Sequence, residues 1–189
     1  PQFGAGAIRL TASRTRYRGA YRAGLYLASR GIGVPSIAGY IEWGAAGAIW
    51  RNALVMQHLE GFVPIREYAL EIGGNGVARG AFLDTLAESV LTLYSGRAYH
   101  SDLASKNVLT RNGADIRFID LEAVRLEHVM RDTDRLRNII QLLDAFYDIW
   151  NEQALSGLIA RLAPPEQPLA VWQQMAMTGL ARRIESRRR

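Results

Sequence analysis

The 189 residues include no cysteine, and Lys106 is the sole lysine among 23 basic residues. Without a thiol there is no disulfide framework, no thiolate metal site and no cysteine nucleophile. His58, His100 and His128 are the only histidines, which argues against a histidine-rich zinc centre. No apolar run approaches the roughly 18–20 residues that span a bilayer, and no charged-then-apolar leader opens the chain, so the sequence reads as cytoplasmic. Internal repeats and low-complexity tracts are also missing.

What is present is the composition of a compact domain, 49% hydrophobic and 22% charged, long enough to bury a core. The net charge of +5 is carried by arginine, and the isoelectric point is near 9.9. Such a surface suits an anionic partner. The excess is spread along the chain instead of forming one stripe, which argues against nucleic-acid binding.

Residues 14–30 predict a helix with Tyr17, Tyr21, Leu25 and either Ala28 or Ser29 on one face, Ser13 as N-cap and Gly31-Ile32-Gly33 as the stop. Residues 37–42 and 48–58 predict a hairpin turning at 44–47, with a hinge at residues 58–62. A buried amphipathic helix follows over residues 79–94, its apolar face Phe82, Leu83, Leu86, Ala87, Val90, Leu91 and Tyr94, ended by Gly96. Then come a polar loop (99–107), a short strand (108–110), a turn at Asn112-Gly113 and a second strand ending at Asp120. Leu136, Ile139, Ile140, Leu143, Phe146, Tyr147 and Trp150 predict one further helix with Asp134 in its first turn. Pro164, Pro165 and Pro168 separate a last helix carrying Val171, Trp172, Met175 and Leu180.

The chemistry lies in His100-Ser101-Asp102-Leu103-Ala104-Ser105-Lys106-Asn107, followed by Asp120 in Phe118-Ile119-Asp120-Leu121-Glu122. This string resembles the catalytic loop and metal-binding segment of protein-kinase-like enzymes. Phosphoryl transfer from ATP asks little covalent work of a protein. It asks for a carboxylate beside the acceptor hydroxyl and oxygen ligands for magnesium. The resemblance assigns Asp102 to the acceptor and Asn107 and Asp120 to metal and nucleotide, and Lys106 is placed to neutralise charge on the moving phosphoryl group. His100 is expected to be structural, beneath the loop. His58 and His128 are read as non-catalytic.

The segment Ser13-Arg14-Thr15-Arg16-Tyr17-Arg18, the helix after it and Gly31-Ile32-Gly33-Val34-Pro35 through Glu42 look like the lipopolysaccharide kinase (Kdo/WaaP) family. With the catalytic loop, the resemblance runs from about residue 13 to about residue 150. It implies an α+β, protein-kinase-like bilobal fold: a truncated N-lobe at residues 1–60 and a mainly helical C-lobe at 61–189. It also implies transfer of the ATP γ-phosphate to a sugar hydroxyl of the lipopolysaccharide inner core. The partners would be ATP with Mg2+ and a lipid-linked saccharide acceptor, at the inner face of the inner membrane. Arg182, Arg183 and residues 187–189 read as a solvated tail able to touch anionic headgroups.

The departures from the pattern lie at the N-terminus. Gly4-Ala5-Gly6 is too short for a phosphate-covering loop, and Ala7-Ile8-Arg9-Leu10 echoes the nucleotide-gripping lysine strand with Arg9 in place of lysine. The missing lysine strand and glycine loop are expected upstream. Two alternatives stay open: a catalytically degenerate kinase-fold binding module, and a related kinase acting on a protein or on a small molecule such as an aminoglycoside.

Overall fold

The computed structural model describes residues 9–11, 16–45 and 48–188. The predicted N-cap at Ser13 and the short Gly4-Ala5-Gly6 run lie outside them. Strands β1 (Arg9–Thr11), β2 (Ile37–Ala45) and β3 (Ala48–Met56) form an antiparallel sheet in the order β1-β3-β2. Leu10 lies opposite Ala53, and β2 stays paired up to Ala45 opposite Ala48, so Gly44 and Ala45, predicted in the turn, belong to the strand.

Helix α1 (Arg16–Ser29) packs on this sheet, but its buried face matches the predicted one only in part. Tyr17, Ala20, Ala23 and Leu27 are buried, while Leu25 is 47% exposed and Tyr21 only partly covered. Small residues explain the rotation. A side chain at Gly24 would have its Cβ 2.1 Å from Ile37 Cδ1 and 3.0 Å from Leu121 Cδ1, so the helix reaches both the sheet and the segment after Asp120 only because no Cβ is there. Tyr21 instead stacks on Tyr40, with ring centroids 5.7 Å apart.

After α1 the chain crosses to the second sheet. The Gly33 carbonyl accepts a hydrogen bond from Phe118 at 2.8 Å, and a Cβ on Gly33 would sit 2.1 Å from the Ile116 carbonyl oxygen. Backbone meets backbone at this point, which is why the position is glycine. The second sheet has the order β4-β6-β7, from Val63–Pro64, Val108–Arg111 and Asp115–Phe118. Asn112 and Gly113 take the positive φ of a tight hairpin turn, as their sequence predicts. A third pair, β5 (Tyr99–His100) with β8 (Val124–Arg125), was not foreseen because two-residue strands leave no period to read.

The remainder is helical: α2 (Ile65–Ile72), α3 (Gly76–Ser95), α4 (Asp132–Leu143), α5 (Glu152–Leu162) and α6 (Leu169–Arg188). Helix α3 buries Phe82, Leu83, Leu86, Ala87, Val90, Leu93 and Tyr94. Leu91, predicted inside, is 37% exposed and Leu93 takes its place in the core. The single helix predicted through Trp150 ends at Leu143. Phe146 and Trp150 still enter the core from the turns that follow, stacked with centroids 4.6 Å apart, so their apolar spacing was real and its helical interpretation was not. Asn151 starts α5, which was not predicted, by accepting from the Ala154 amide at 3.1 Å.

Candidate active site

The residues singled out in the sequence meet where β5, β6 and β7 come together. Strand β5 ends at His100, which is fully buried. Its Nε2 faces the Ile119 carbonyl at 2.8 Å, and its Nδ1 lies 3.3 Å from the Asp102 amide. A neutral ring protonated at Nε2 satisfies both contacts, donating to the carbonyl and accepting from the amide. Burial lowers the imidazole pKa below its ordinary value and so favours that neutral form. The histidine therefore links the Asp102 loop to the Asp120 segment as a structural group, as expected.

Asp102 leads into a loop that closes in a short 3₁₀ turn at Ser105–Asn107. Asn107 is 4% exposed, and its Nδ2 donates both to the Asp102 carbonyl at 2.8 Å and to Asp102 Oδ2 at 2.9 Å. With the nitrogen committed to Asp102, the amide oxygen faces the other way. Lys106 Nζ stands 3.6 Å from the same Asp102 Oδ2 on a 75% exposed side chain. Asp102, Lys106 and Asn107 thus form one cluster.

Asp120 reaches this cluster through the backbone. The Ile119 amide donates to the Asn107 carbonyl at 2.9 Å, which fixes the residue before Asp120 against the loop. Asp120 does not end the strand as predicted. It lies two residues beyond β7, in the left-handed region with φ 58° and ψ 50°. Aspartate is among the few residues that tolerate this conformation, and such outliers gather at functional sites. Its carbonyl accepts from Ala123 at 2.9 Å to start the short turn Leu121–Ala123, whose Leu121 is buried near Gly24 of α1.

The loop is stapled to α4 by two buried amides that sequence reasoning missed. Gln141 Oε1 accepts from the Leu103 amide at 2.9 Å, and its Nε2 donates to the Ser101 carbonyl at 3.1 Å. Asn138 Nδ2 donates to the His100 carbonyl at 2.9 Å and to Gln141 Oε1 at 3.1 Å. Tyr94 of α3 completes the chain by donating to Asn138 Oδ1 at 3.2 Å, and burial raises its own pKa. The signal in the sequence was two amides three residues apart among Ile139, Ile140, Leu142 and Leu143, on a face that should otherwise be apolar. From α2, the Arg66 amide donates to Ser105 Oγ at 3.1 Å.

The C-terminal arginines also depart from expectation. Helix α6 continues to Arg188, and Arg183 and Arg187 turn toward Asp144 instead of trailing in solvent. Arg189 lies outside the described residues. No described helix is long and apolar enough to cross a membrane. Among the described residues, no three acidic or histidine side chains are grouped to hold a metal. Asn107 and Asp120 carry an amide and a carboxylate oxygen, donor types that suit a hard, oxygen-preferring ion such as magnesium.

A small sheet packed with one helix, joined to a mainly helical body with a His-x-Asp loop between the second and third sheets, defines the protein-kinase-like class. The model of the lipopolysaccharide kinase (Kdo/WaaP) family matches residues 6–161, and the chain belongs to that family. A solved structure titled "WaaP in complex with acyl carrier protein" superposes with a TM-score of 0.73 at 15% identity, covering 95% of this chain and 78% of that one. At this identity the likeness concerns the fold. Comparison with curated proteins gave no match.

Proposed function

We propose that the protein is an ATP-dependent kinase that moves the γ-phosphate of ATP to a hydroxyl of a lipopolysaccharide inner-core sugar, with the lobe boundary near residue 60. The observation that carries this reading is the Asp102–Asn107 pair. The Asn107 amide nitrogen donates to both the backbone carbonyl and the carboxylate of Asp102, which leaves its amide oxygen for a metal. Asp102, 39% exposed along its side chain, accepts the acceptor hydroxyl and orients it for attack. Asn107 and Asp120 hold magnesium, which when bound neutralises the charge of the nucleotide phosphates. Lys106 sits at the solvent side of Asp102, where its ammonium faces the incoming phosphoryl oxygens. The acceptor is lipid-linked, so the protein works against the inner face of the inner membrane.

The test is transfer of labelled γ-phosphate from ATP to an isolated inner-core glycolipid. The expected result is transfer by the wild-type chain and loss of about a hundredfold or more in Asp102→Ala. Absence of transfer to any core glycolipid, with transfer to a protein or an aminoglycoside instead, would move the chain to a different acceptor class.

One observation favours a second reading, a nucleotide- or partner-binding module without catalysis. Kinase-like sites pair a strand lysine with a helix glutamate. Here the polarity runs the other way: Arg18 of α1 reaches Glu42 of β2 at 2.7 Å, and Tyr40 donates to the same carboxylate. The arginine and the tyrosine hold Glu42 below its ordinary pKa. Binding of Mg·ATP without transfer to any acceptor would support this second reading.

A further inference from the structure

A cavity of about 490 Å³ opens beside Asp102. Asp102 and Lys106 line one side. Arg66 of α2 lies on another, and Arg183 and Arg187 reach in from α6. Asp144 and Asp148 accompany them, so the wall carries four cations and three carboxylates.

The pairing within that wall is unequal. Arg66 forks onto Asp148, with both nitrogen-to-oxygen distances 2.7 Å, and also donates to the Ala145 carbonyl at 2.9 Å. Arg183 and Arg187 share one carboxylate. Arg183 Nε donates to Asp144 Oδ2 at 2.8 Å, while Arg187 donates to both Asp144 oxygens. Asp144 is 6% exposed along its side chain, whereas Arg183 and Arg187 are 33% and 55% exposed. One carboxylate neutralises one guanidinium. A tether for α6 would need only one arginine, so the second leaves a positive charge facing the cavity. Arg183 commits only Nε to Asp144, and its two terminal nitrogens have no hydrogen-bond partner among the described residues. Two guanidinium groups pre-oriented by one buried carboxylate are a geometry suited to a planar or tetrahedral oxyanion.

We propose that this cavity is an oxyanion subsite that recognises a phosphate or carboxylate substituent on the phosphoryl acceptor, with Arg183 and Arg187 as the recognition pair and Asp144 as their support. The placement beside Asp102 rests on the reading of that residue as the acceptor-side carboxylate. An acceptor whose hydroxyl meets Asp102 would extend its anionic group toward α6. Neutral saccharides would lack this anchor.

Calorimetric titration of the full chain without nucleotide or metal tests it, using glucose 6-phosphate, glucuronate and glucose as probes. The expected result is binding of one or both anions and none of glucose; which anion binds more tightly tells phosphate from carboxylate. Arg183→Gln and Arg187→Gln should each weaken anion binding by about tenfold. Asp144→Asn removes the charge that holds both guanidinium groups in place and should also weaken anion binding. Arg183→Gln leaves Asp144 paired with Arg187, so the fold is retained, and thermal unfolding of each variant checks this. Equal affinity for glucose and the anions, or anion affinity unchanged in both arginine variants, would overturn the subsite. Mg·ATP titration of the same wild-type sample separates the two claims. Anion binding without nucleotide binding removes the kinase reading alone, and nucleotide binding without anion binding removes the subsite alone.

Discussion

Asn107 donates to Asp102 twice, at the backbone carbonyl and at the carboxylate, and so holds the proposed acceptor-side acid at the start of its own loop. Replacing the amide by an acid reverses this contact. In Asn107→Asp two carboxyl groups would face each other at hydrogen-bond distance, and the pair would hold a proton to higher pH. The acid limb of the kcat profile should therefore move to higher pH. An acid limb at the wild-type position would show that the two side chains do not interact in the working enzyme.

Gln141 should matter without touching any reactant. Gln141→Leu leaves the Leu103 amide and the Ser101 carbonyl without their partner in a buried loop. The expected cost is about 2 kcal/mol, or roughly 4–8 °C in Tm for a chain of this size. Thermal unfolding of the variant measures it, and a Tm within about 1 °C of wild type would mean the staple carries no stability.

Glycines at two positions should respond oppositely to alanine. Gly33→Ala drives a Cβ into the Ile116 carbonyl oxygen, a backbone atom that no rotamer change can move, so a loss of about 3 kcal/mol or more is expected. Gly19 lies in α1 with nothing within 4 Å of its would-be Cβ. Gly19→Ala should stabilise by about 0.5–1 kcal/mol through helix propensity. Denaturant midpoints of the two variants check both signs.

Acid should weaken the junction between β8 and α4. Asp134 is buried against Arg131 and His128, at 2.9 Å from each, and chiefly the Arg131 hydrogen bond lowers its pKa from 3.8 to about 2. Because the folded value is depressed, the stabilisation is present above the unfolded value and is lost as pH falls through the folded one. Its size is about 2 kcal/mol on a carboxylate only 5% exposed. Asp134→Asn should flatten the fall in stability between about pH 4 and pH 2. An unchanged slope there would assign the acid sensitivity to other carboxylates.

The candidate string from His100 to Asn107 stood out in the sequence because phosphoryl transfer asks for such residue types at fixed spacing, and Asp102, Lys106 and Asn107 do form one cluster. The helix α3 was legible because a long apolar period survives averaging. What failed had local causes. The buried face of α1 follows small residues at Ala20, Ala23 and Gly24, which a search for large apolar side chains passes over. The turn after Leu143 keeps a helix-like apolar spacing without being helical. Arg183 and Arg187 looked like a solvated tail because their partner, Asp144, lies some forty residues earlier in the chain, and pairing across such a separation leaves no local pattern.

The most direct test of the account is calorimetric titration of ATP in the presence and absence of magnesium, with the wild-type chain beside Asp120→Ala and Asp102→Ala. The account predicts magnesium-dependent binding by wild type, its loss in Asp120→Ala and its retention in Asp102→Ala. Absence of binding in wild type, or equal loss in both variants, would contradict the roles assigned to these two aspartates.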